Sequence, residues 1–481
     1  MTNLSGANLN NGAAVGPQGE GRDSPSTFPK YPAYKDSGVE WLGEVPEHWG
    51  IFIAKRLFGN VRESAKPDAE QLAATQAYGV IPQKDFMERN DAKVVLALSG
   101  TENFRDVRAN DFVISLRSFQ GGIEHSAYDG CVSPAYTVLR RRDQKNINPG
   151  YFRYLLKERS YISALQSVTT GIREGRTITY EQFGSLLMPV APVSEQHHIA
   201  RFLDHETARI DALIEEQQRL IELLKEKRQA VISNAVTKGL DPAVPMKDSG
   251  VVWLGEVPTH WSVSPLKFLV DEKVAGPYGA SLTKAMYTDS GYRVYGQQQV
   301  ISDDFSIGDY YISEEKFSEM QRYVVFPGDV LVSVMGTIGR VSVVPVGVEV
   351  GIINPRLVRY KFEQRKIAPE FVKALLMSLR YQGKLREESQ GSTMEGLNMV
   401  ILGDLPLVLP SLDEQLSIVA FVKAYDFEFD ELVEQAQSAV SLLQERRSAL
   451  ISAAVTGKID VRGWQPPARA QAPEPAVAEA V

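Results

Sequence analysis

The chain has 481 residues, of which 43% are hydrophobic and 23% are charged, so it is long enough to form more than one buried core. Its formal net charge of −8 argues against a protein that coats nucleic acid without sequence preference. A single cysteine, Cys131, excludes an intramolecular disulfide bond and a cysteine-based zinc site.

The ends of the chain differ in composition from the rest. Residues 1–34 are rich in Gly, Asn, Ser and Pro, and residues 461–481 are rich in Ala and Pro, so both are predicted to be disordered tails. The first residues lack the basic start and apolar stretch of a signal peptide, and no apolar run approaches the ~20 residues of a membrane span. We therefore expect a cytoplasmic protein.

Two short segments of the chain are repeated. Residues 35–49 read KDSGVEWLGEVPEHW and residues 247–261 read KDSGVVWLGEVPTHW, so 13 of 15 positions are identical at an offset of 212. Residues 223–241 and 442–460 match at 11 of 19 positions at an offset of 219. We call residues 35–49 and 247–261 the framing segments. The stretches between the repeated segments resemble each other only faintly, which indicates one shared purpose for the repeats and two different purposes for the inserts.

Each insert is predicted to be a mixed α/β domain. Short β-like runs occur in both, and helical pieces near the end of each insert are predicted at 151–165 and 370–385. The β-like runs are 94–98 and 111–115 in the first insert, and 324–326 and 330–334 in the second.

A long amphipathic helix follows each insert. Ser194 and Asp413 are suitable N-caps, each preceded by a proline, and apolar residues then recur at spacings of three and four. Two such helices can bury their apolar stripes against each other as an antiparallel coiled coil, although each could instead fold back on its own insert. The predicted stripes are Ile199, Phe202, Leu203, Ile210, Leu213, Leu220, Leu224 and Val231, then Ile418, Phe421, Val422, Phe429, Leu432, Ala436, Ala439, Leu443 and Leu450.

Motifs for catalysis are absent from the sequence. There is no GxxxxGK[ST] phosphate loop and no Asn/Asp-Pro-Pro-aromatic segment of the kind that amino-methyltransferases use, and the Asn-Pro-Arg segment at 354–356 is interpreted as a turn. His48 and His260 stand beside a tryptophan in the framing segments, where a structural role is favoured. The sequence therefore predicts a binding protein without a catalytic or metal site.

The framing segments resemble those of the specificity subunits of type I restriction-modification systems. So do the entries into the long helices, which read PVSEQ at 192–196 and SLDEQ at 411–415, and the helix ends at 232–237 and 451–456. The resemblance implies two target-recognition domains that each read one half of a bipartite DNA site, with two methyltransferase subunits docked on the repeated surfaces and restriction subunits joining the complex. S-adenosylmethionine, ATP and magnesium are expected in those partner subunits and no cofactor in this chain.

The fold class that follows is α/β (α+β), with two mixed α/β target-recognition domains separated by two long antiparallel coiled-coil helices in a pseudo-two-fold internal repeat. The predicted parts are a disordered tail at 1–34, the first recognition domain with its framing segment at 35–193, the first long helix at 194–240, the second recognition domain with its framing segment at 241–411, the second long helix at 412–460, and a disordered tail at 461–481.

The candidate DNA-binding residues lie in glycine-rich polar loops after β-like runs. Arginine suits guanine edges and glutamine suits adenine, while hydroxyl groups and loop amides suit phosphates. A basic cluster at 140–142 could also face phosphate or could simply be a solvated strand end. The candidates are Arg117, Ser118, Gln120, Thr170, Arg173 and Arg176 in the first insert, and Gln297, Gln298, Gln299, Thr337, Arg340, Ser392 and Thr393 in the second.

Two other classes of function remain open at this point. The chain could be a coiled-coil scaffold that joins two protein partners without touching DNA, or an enzyme with an unrecognised site. A methyltransferase gene beside this one would separate the first alternative from the specificity-subunit interpretation.

Overall fold

The computed structural model describes residues 28–90, 103–115, 122–168, 178–390 and 396–467. The chain divides into two compact units: unit 1 comprises Met1–Glu216 and Ala439–Val481, and unit 2 comprises Gln217–Ser438. Both boundaries fall inside long helices, so each unit holds part of both helices. Within the described residues, no helix has the length and apolar content that crossing a membrane requires.

Unit 1 contains short strands, short helices and the beginning of the first long helix. Its elements are β1 (Tyr34–Asp36), β2 (Glu44–Pro46), β3 (Gly50–Ile53), α1 (Ala54–Leu57), β4 (Phe58–Val61), β5 (Leu72–Thr75), β6 (Gly79–Pro82), α2 (Gln83–Asn90), β7 (Arg105–Val107), β8 (Phe112–Ile114), β9 (Ile123–His125), β10 (Gly130–Val132), β11 (Thr137–Arg141), α3 (Pro149–Leu155), α4 (Arg159–Ser167), α5 (Tyr180–Ser185), β12 (Leu187–Val190) and α6 (Val193–Lys238).

Unit 2 is built from the same kinds of element and includes the beginning of the second long helix. Its elements are β13 (Met246–Asp248), β14 (Glu256–Pro258), β15 (Ser262–Pro265), β16 (Val270–Ala275), β17 (Tyr292–Tyr295), α7 (Gln297–Ser302), β18 (Tyr311–Ile312), α8 (Glu314–Glu319), β19 (Val330–Ser333), β20 (Val341–Val343), β21 (Gly351–Ile353), β22 (Leu357–Phe362), α9 (Pro369–Leu376), α10 (Leu379–Gln390), α11 (Met399–Asp404), β23 (Pro406–Leu409) and α12 (Leu412–Val455), with short 3-10 turns at Leu266–Phe268, Gly279–Ser281, Lys284–Met286 and Gln321–Tyr323.

Each unit has a four-stranded antiparallel sheet covered by helices. The strand order is β4-β11-β8-β9 in unit 1 and β16-β22-β19-β20 in unit 2. Unit 2 also has a three-stranded sheet, β18-β17-β21, in which β17 and β21 run parallel. The prediction of mixed α/β inserts is confirmed. The helical pieces expected at 151–165 and 370–385 each prove to be two helices, α3 with α4 and α9 with α10.

The predicted β-like runs are confirmed only in part. The runs at 111–115 and 330–334 correspond to β8 and β19, but Val324 forms only an isolated bridge with Ile352. The run at 94–98 lies outside the described residues.

The framing segments fold into the same small hairpin in both units. In unit 1, β1 pairs with β2, and in unit 2, β13 pairs with β14 at the equivalent residues. The tryptophan at the end of each segment, Trp49 or Trp261, is buried in the core of its own unit. The fifteen repeated positions, 13 of them identical, thus form the same local structure in both units.

Each framing segment holds the beginning of a long helix through a carboxylate, which is buried in unit 1 and half-buried in unit 2. In unit 1, Trp49 Nε1 donates to Glu195 Oε1 at 2.9 Å, and His48 Nε2 lies 2.8 Å from Glu195 Oε2. In unit 2, Trp261 Nε1 donates to Glu414 Oε1 at 3.0 Å, and His260 Nε2 lies 3.0 Å from Glu414 Oε2. Both histidines, for which a structural role was predicted, therefore contact the glutamate at the start of the long helix.

The glutamine next to each glutamate fixes the loop that precedes the first helix packed on the sheet. Gln196 Oε1 accepts from the Asn148 amide and Gln415 Oε1 accepts from the Ala368 amide, both at 2.8 Å. Both glutamines are fully buried and also donate to carbonyl oxygens of Ala191 and Pro410. Because a buried amide must be hydrogen-bonded, these contacts explain the shared Glu-Gln at the two helix entries.

The long helices begin slightly earlier than the sequence suggests. α6 starts at Val193 and α12 at Leu412, so Ser194 and Asp413 lie in the first turn and are not N-caps. At the second helix, Ser411 takes that role, because its Oγ accepts from the Glu414 amide at 3.3 Å. An acidic residue in the first turn still suits the positive end of the helix.

α6 and α12 pack together, but several predicted stripe residues do not face the contact. In unit 1, Ile210 and Ile214 join a core that includes Leu443 and Leu450, whereas Leu213 is 37% exposed. Leu220 and Leu432 are also exposed, and Ile221 and Val433 are the better-covered neighbours. The stripe prediction is therefore wrong at Leu213, Leu220 and Leu432, because the rotation of each helix turns the neighbouring residue toward the contact.

Ion pairs between the two long helices flank the apolar contact. In unit 1, Arg447 Nε donates to Asp211 Oδ1 at 2.8 Å. In unit 2, Arg228 Nε donates to Asp426 Oδ1 at 2.7 Å and its Nη1 donates to Asp430 Oδ1 at 2.8 Å. Because these contacts join α6 to α12, the alternative in which each long helix folds back on its own insert is wrong.

Parts of both predicted tails are packed in unit 1. Tyr31 is buried and donates from its hydroxyl to Glu195, and the Asp460 amide donates to the Pro29 carbonyl at 2.7 Å. Trp464 stacks edge-on against Phe202 with ring centroids 5.3 Å apart. The disordered-tail prediction is therefore wrong for residues 28–34 and 461–464, because a few aromatic side chains outweigh the polar composition around them.

His125, at the end of β9, is expected to make unit 1 less stable at acid pH. Burial and the nearby charges of Arg153 and Arg141 lower the pKa of this side chain from 6.5 to about 4. Because the unfolded chain takes up a proton near pH 6.5 and the folded chain does not until about pH 4, stability is present above pH 6.5 and is lost as the pH falls. We expect a loss of about 2 kcal/mol between pH 7.5 and pH 5 from this group.

The measurement is urea unfolding of the wild type and of His125→Asn at both pH values. The free energy of unfolding should change less between the two pH values for the variant than for the wild type. An equal change in the two proteins would show that His125 is not the source of the acid sensitivity.

Candidate nucleic-acid interface

An exposed polar surface forms in unit 2 where three loops meet. The loops are the start of α7, the β19–β20 connection at 334–340 and the turn at 354–356 between β21 and β22. The parallel pairing of β17 with β21 brings the first and third together, and the Asn354 amide donates to the Tyr295 carbonyl at 2.8 Å. We call this the unit 2 polar surface, and its side chains are Gln297, Gln298, Thr337, Arg340 and Arg356.

Close backbone packing supports the turn at 354–356. Gly276 lies so near that a Cβ atom there would stand 1.9 Å from the Asn354 carbonyl oxygen. The Asn354 side chain also accepts from the Arg356 amide at 2.9 Å, which is the local bond typical of an asparagine turn. The position of Arg356 is thus set by rigid backbone.

The β19–β20 loop presents Thr337 and Arg340, which are both exposed. Gly336 and Gly339 have φ values of +71° and +76°, a conformation that side-chain-bearing residues rarely adopt. α10 supports the loop from below, because Gln382 Nε2 donates to the Gly339 carbonyl at 2.7 Å. Two of the sequence-predicted residues therefore lie on one ordered, exposed loop.

The three predicted glutamines have different surroundings. Gln298 is exposed. Gln299 is buried, its Oε1 accepts from the Gly296 amide at 2.8 Å and its Nε2 donates to the Ile307 carbonyl at 2.9 Å. Both ends of the Gln299 amide are used to hold α7, so we leave this residue out of the unit 2 polar surface.

Gln297 is partly buried and connects the three loops. Its Nε2 donates to Ser333 Oγ at 2.8 Å and to the Met335 carbonyl, and its Oε1 accepts from Arg356 Nη1 at 3.1 Å. Sequence reasoning interpreted 354–356 only as a turn and therefore missed Arg356. The signal available was an arginine directly after an Asn-Pro turn between two apolar strands.

Two tyrosines lie beside Arg356. The rings of Tyr287 and Tyr310 are 5.1 Å apart, and Tyr310 is exposed. Burial raises the pKa of the Tyr287 hydroxyl, Tyr310 raises it further and the charge of Arg356 opposes both. An exposed aromatic ring, that of Tyr310, near a cationic side chain is a combination that suits contact with nucleotides.

The other predicted contact residues cannot be placed. Those of the first insert lie outside the described residues, as do the last two of the second insert: Arg117, Ser118, Gln120, Thr170, Arg173, Arg176, Ser392 and Thr393. Their assignment to DNA remains a prediction.

The basic cluster at 140–142 is engaged within unit 1. Arg140 is 17% exposed on its side chain and pairs with Asp111, Asp106 and Glu63 at 2.7, 3.0 and 3.2 Å. Arg141 and Arg142 donate to backbone carbonyls. The cluster is therefore held within unit 1 by carboxylates and backbone carbonyls, so neither the phosphate contact nor the solvated strand end that the sequence left open describes Arg140.

No group of three or more His, Cys, Asp or Glu side chains in the described part of the chain is arranged to hold a metal ion. The side chains gathered at the unit 2 polar surface are instead two amides, a hydroxyl and two arginines, which are groups that can hydrogen-bond to nucleic acid.

Comparison with known proteins supports the resemblance stated for the framing segments. Residues 280–441 match the family model described as the type I restriction modification DNA specificity domain. The chain is 22% identical over 435 residues to the putative type I restriction enzyme MjaX specificity subunit of Methanocaldococcus jannaschii, covering 88% of this chain and 96% of that protein. It is 25% identical over 351 residues to the EcoBI specificity subunit of Escherichia coli, covering 70% and 71%.

Solved structures show the same fold. A chain from a structural study of complex assembly and conformational transition of the type I R-M system superposes with a TM-score of 0.60 at 17% identity, covering 85% of this chain and 98% of that one. The HsdS subunit from Thermoanaerobacter tengcongensis superposes with a TM-score of 0.52 at 15% identity, covering 86% and 98%. The predicted resemblance to type I specificity subunits is confirmed.

Proposed function

We propose that this chain is the sequence-specific DNA-binding specificity subunit of a type I restriction-modification complex. The observation that carries the proposal is the repeated hold on the two long helices: the same Trp–Glu and His–Glu contacts occur in both units, at 2.8–3.0 Å, around dissimilar inserts. Identical supports for different domains suit one scaffold that presents two readers of two different half-sites.

The finer architecture belongs to the same proposal. Residues 35–193 and 241–411 are two target-recognition domains, related by a pseudo-two-fold internal repeat. The two long helices form an antiparallel coiled coil between them. Support for the antiparallel direction comes from the ion pairs: the early part of α6 pairs with the late part of α12, and the late part of α6 pairs with the early part of α12.

The proposed partners are double-stranded DNA, two methyltransferase subunits and the restriction subunits. The long helices carry several exposed apolar side chains, and we take these as candidate docking points because apolar side chains that cluster on a surface are typical of contacts between proteins. These side chains are Leu213, Leu220 and Leu223 on α6, and Leu416, Phe427, Leu432 and Leu442 on α12.

In this proposal the chain supplies recognition, and the chemistry belongs to its partners. S-adenosylmethionine, ATP and magnesium would bind to the methyltransferase and restriction subunits, and the complex would act on DNA in the cytoplasm. The unit 2 polar surface is the proposed contact with the second half-site. The alternative of a scaffold without DNA contact is less favoured, because it leaves this surface and the DNA specificity domain without a role.

A domain exchange tests the proposal directly. Replacing residues 51–190 with the matching insert of another specificity subunit should change one half of the recognised sequence and leave the other half intact. The reason is that the framing segments and helix starts, which lie outside the exchanged part, hold each domain separately. Methylome sequencing of cells that express the hybrid with its partner subunits gives the measurement.

The reciprocal exchange of residues 262–410 is the matched control and should change the other half only. If either hybrid alters both halves, or neither, the model of two independent readers is wrong. A wild-type complex that methylates no bipartite site would overturn the proposed function itself.

A further inference from the structure

We infer that Arg356 reads a guanine in the half-site of unit 2, and that Gln297 orients it for that contact. This inference rests on the proposed function and goes beyond it by assigning a base to one side chain. Neither residue had this role in the sequence prediction, in which Gln297 was a base-reading candidate and Arg356 was part of a turn.

Arg356 is an exposed cation with spare hydrogen-bond donors. Its guanidinium makes one side-chain contact among the described residues, from Nη1 to Gln297 Oε1 at 3.1 Å. Within those residues, no carboxylate lies within ion-pair distance of it, and its Nε and Nη2 groups have no partner. These two groups form one straight edge of the guanidinium, which is the edge that presents two parallel N–H donors.

Other arginines of the same unit show the contrast. Arg293 is buried and donates to Glu349, Tyr311 and three backbone carbonyls. Arg359 is buried and pairs with Asp329 and Glu272. Arg293 and Arg359 therefore make their contacts within the unit. Arg356 is held through Nη1, whereas its Nε and Nη2 remain available among the described residues.

Gln297 is already occupied and is therefore a positioning residue. Its two amide hydrogens go to Ser333 Oγ and the Met335 carbonyl, so its nitrogen has no donor left for a base. Bidentate recognition of adenine by glutamine needs both ends of the amide. The donations also fix which way the amide points, so that its oxygen faces Arg356 Nη1.

Guanine fits the open edge of Arg356. In the major groove, guanine offers two acceptors, O6 and N7, at the spacing of the guanidinium fork, and this arginine–guanine pair is the commonest specific contact. A fixed backbone turn and a fixed Nη1 reduce the conformational freedom that arginine would otherwise lose on binding. Exposed Thr337 and Tyr310 on neighbouring loops can contact the adjacent backbone or bases.

The test is a selection of DNA sequences by the full chain in complex with its methyltransferase subunit. The probe is a duplex library with randomised positions, and the variants are Arg356→Ala and Gln297→Leu. Arg365→Ala, which removes an exposed arginine of the same unit away from the three loops, is the charge-matched control. We expect Arg356→Ala to lose the guanine preference at one position of one half-site and to bind the wild-type site about tenfold to a hundredfold more weakly.

Gln297→Leu should relax the same position to a smaller extent, while Arg365→Ala should leave the selected sequence unchanged. A purely structural role of Gln297 would lower the folded fraction without changing the base preference of the folded protein, so thermal melting is measured alongside. Selection of the wild-type sequence by Gln297→Leu would overturn the positioning role.

The failure of this inference differs from the failure of the proposed function. If the wild type selects no bipartite sequence, the proposed function is wrong. If the wild type does select one but Arg356→Ala keeps every base preference, the inference alone is wrong. Equal weakening on all sequences, with a flatter salt dependence, would mean a phosphate contact and would also overturn it.

Discussion

Replacing Ile210 with aspartate is expected to lower the free energy of unfolding of unit 1 by about 3–5 kcal/mol. Ile210 is 1% exposed and belongs to the core that the start of α6 shares with the end of α12. The substitution removes apolar contact and places a carboxylate where the core offers no water. Urea unfolding followed by circular dichroism measures the change.

Leu213→Asp is the matched control, since it makes nearly the same chemical change three residues further along the same helix. Because Leu213 is 37% exposed, we expect its effect on stability to stay within about 1 kcal/mol. If Leu213 is a docking point, this variant should instead weaken assembly with the methyltransferase subunit. Equal destabilisation by the two variants would contradict the helix rotation described above.

Replacing Asp329 with alanine is expected to destabilise unit 2 by about 3 kcal/mol. Asp329 and Arg359 are each 2% exposed and are joined by a bond of 3.1 Å from Nη1 to Oδ2. Burial raises the pKa of the Asp329 carboxyl despite the attraction of Arg359, so this pair is costly to bury. The pair is costlier to break, because the variant leaves a buried guanidinium whose one remaining carboxylate partner among the described residues is the half-exposed Glu272.

The equivalent pair in unit 1 supplies the control. Asp111→Ala should cost less than Asp329→Ala, because Arg140 keeps Asp106 and Glu63 and has better access to water. The double variant Asp329→Ala with Arg359→Met should recover much of the lost stability, since it removes the unpaired charge as well. A double variant no more stable than Asp329→Ala would show that packing, and not the buried charge, causes the loss.

The framing segments show how much local sequence can predict. A repeated Trp, a repeated His and a Glu-Gln pair at each helix start indicated one scaffold used twice, and the resemblance they carried was confirmed. The long helices were predictable for the same reason: a periodic apolar stripe that runs from 199 to 231, or from 418 to 450, is a local signal. The mixed α/β character of the inserts followed from short alternating runs such as 111–115 and 330–334.

The rotation of the helices depended on the tertiary structure. Leu213 and Ile214 are neighbours on α6 and either could extend the stripe, but only Ile214 packs against α12 in unit 1. Hydrophobicity alone does not separate two adjacent residues at the edge of a stripe. The choice is made by the shape of the partner helix, which is more than two hundred residues away in the chain.

The candidate reader also depended on tertiary structure. By residue type, Gln297 was a plausible base reader and Arg356 was a turn residue. Folding brings Gln297, Ser333, Met335 and Arg356 together from three loops, and the resulting hydrogen bonds occupy the glutamine and leave the arginine open. The sequence by itself thus determined the framing segments, the long helices and the resemblance to type I specificity subunits, because those signals are local and repeated. Which side chains remain free to touch a ligand was decided by long-range packing, because a donor is free only when no distant neighbour has taken it.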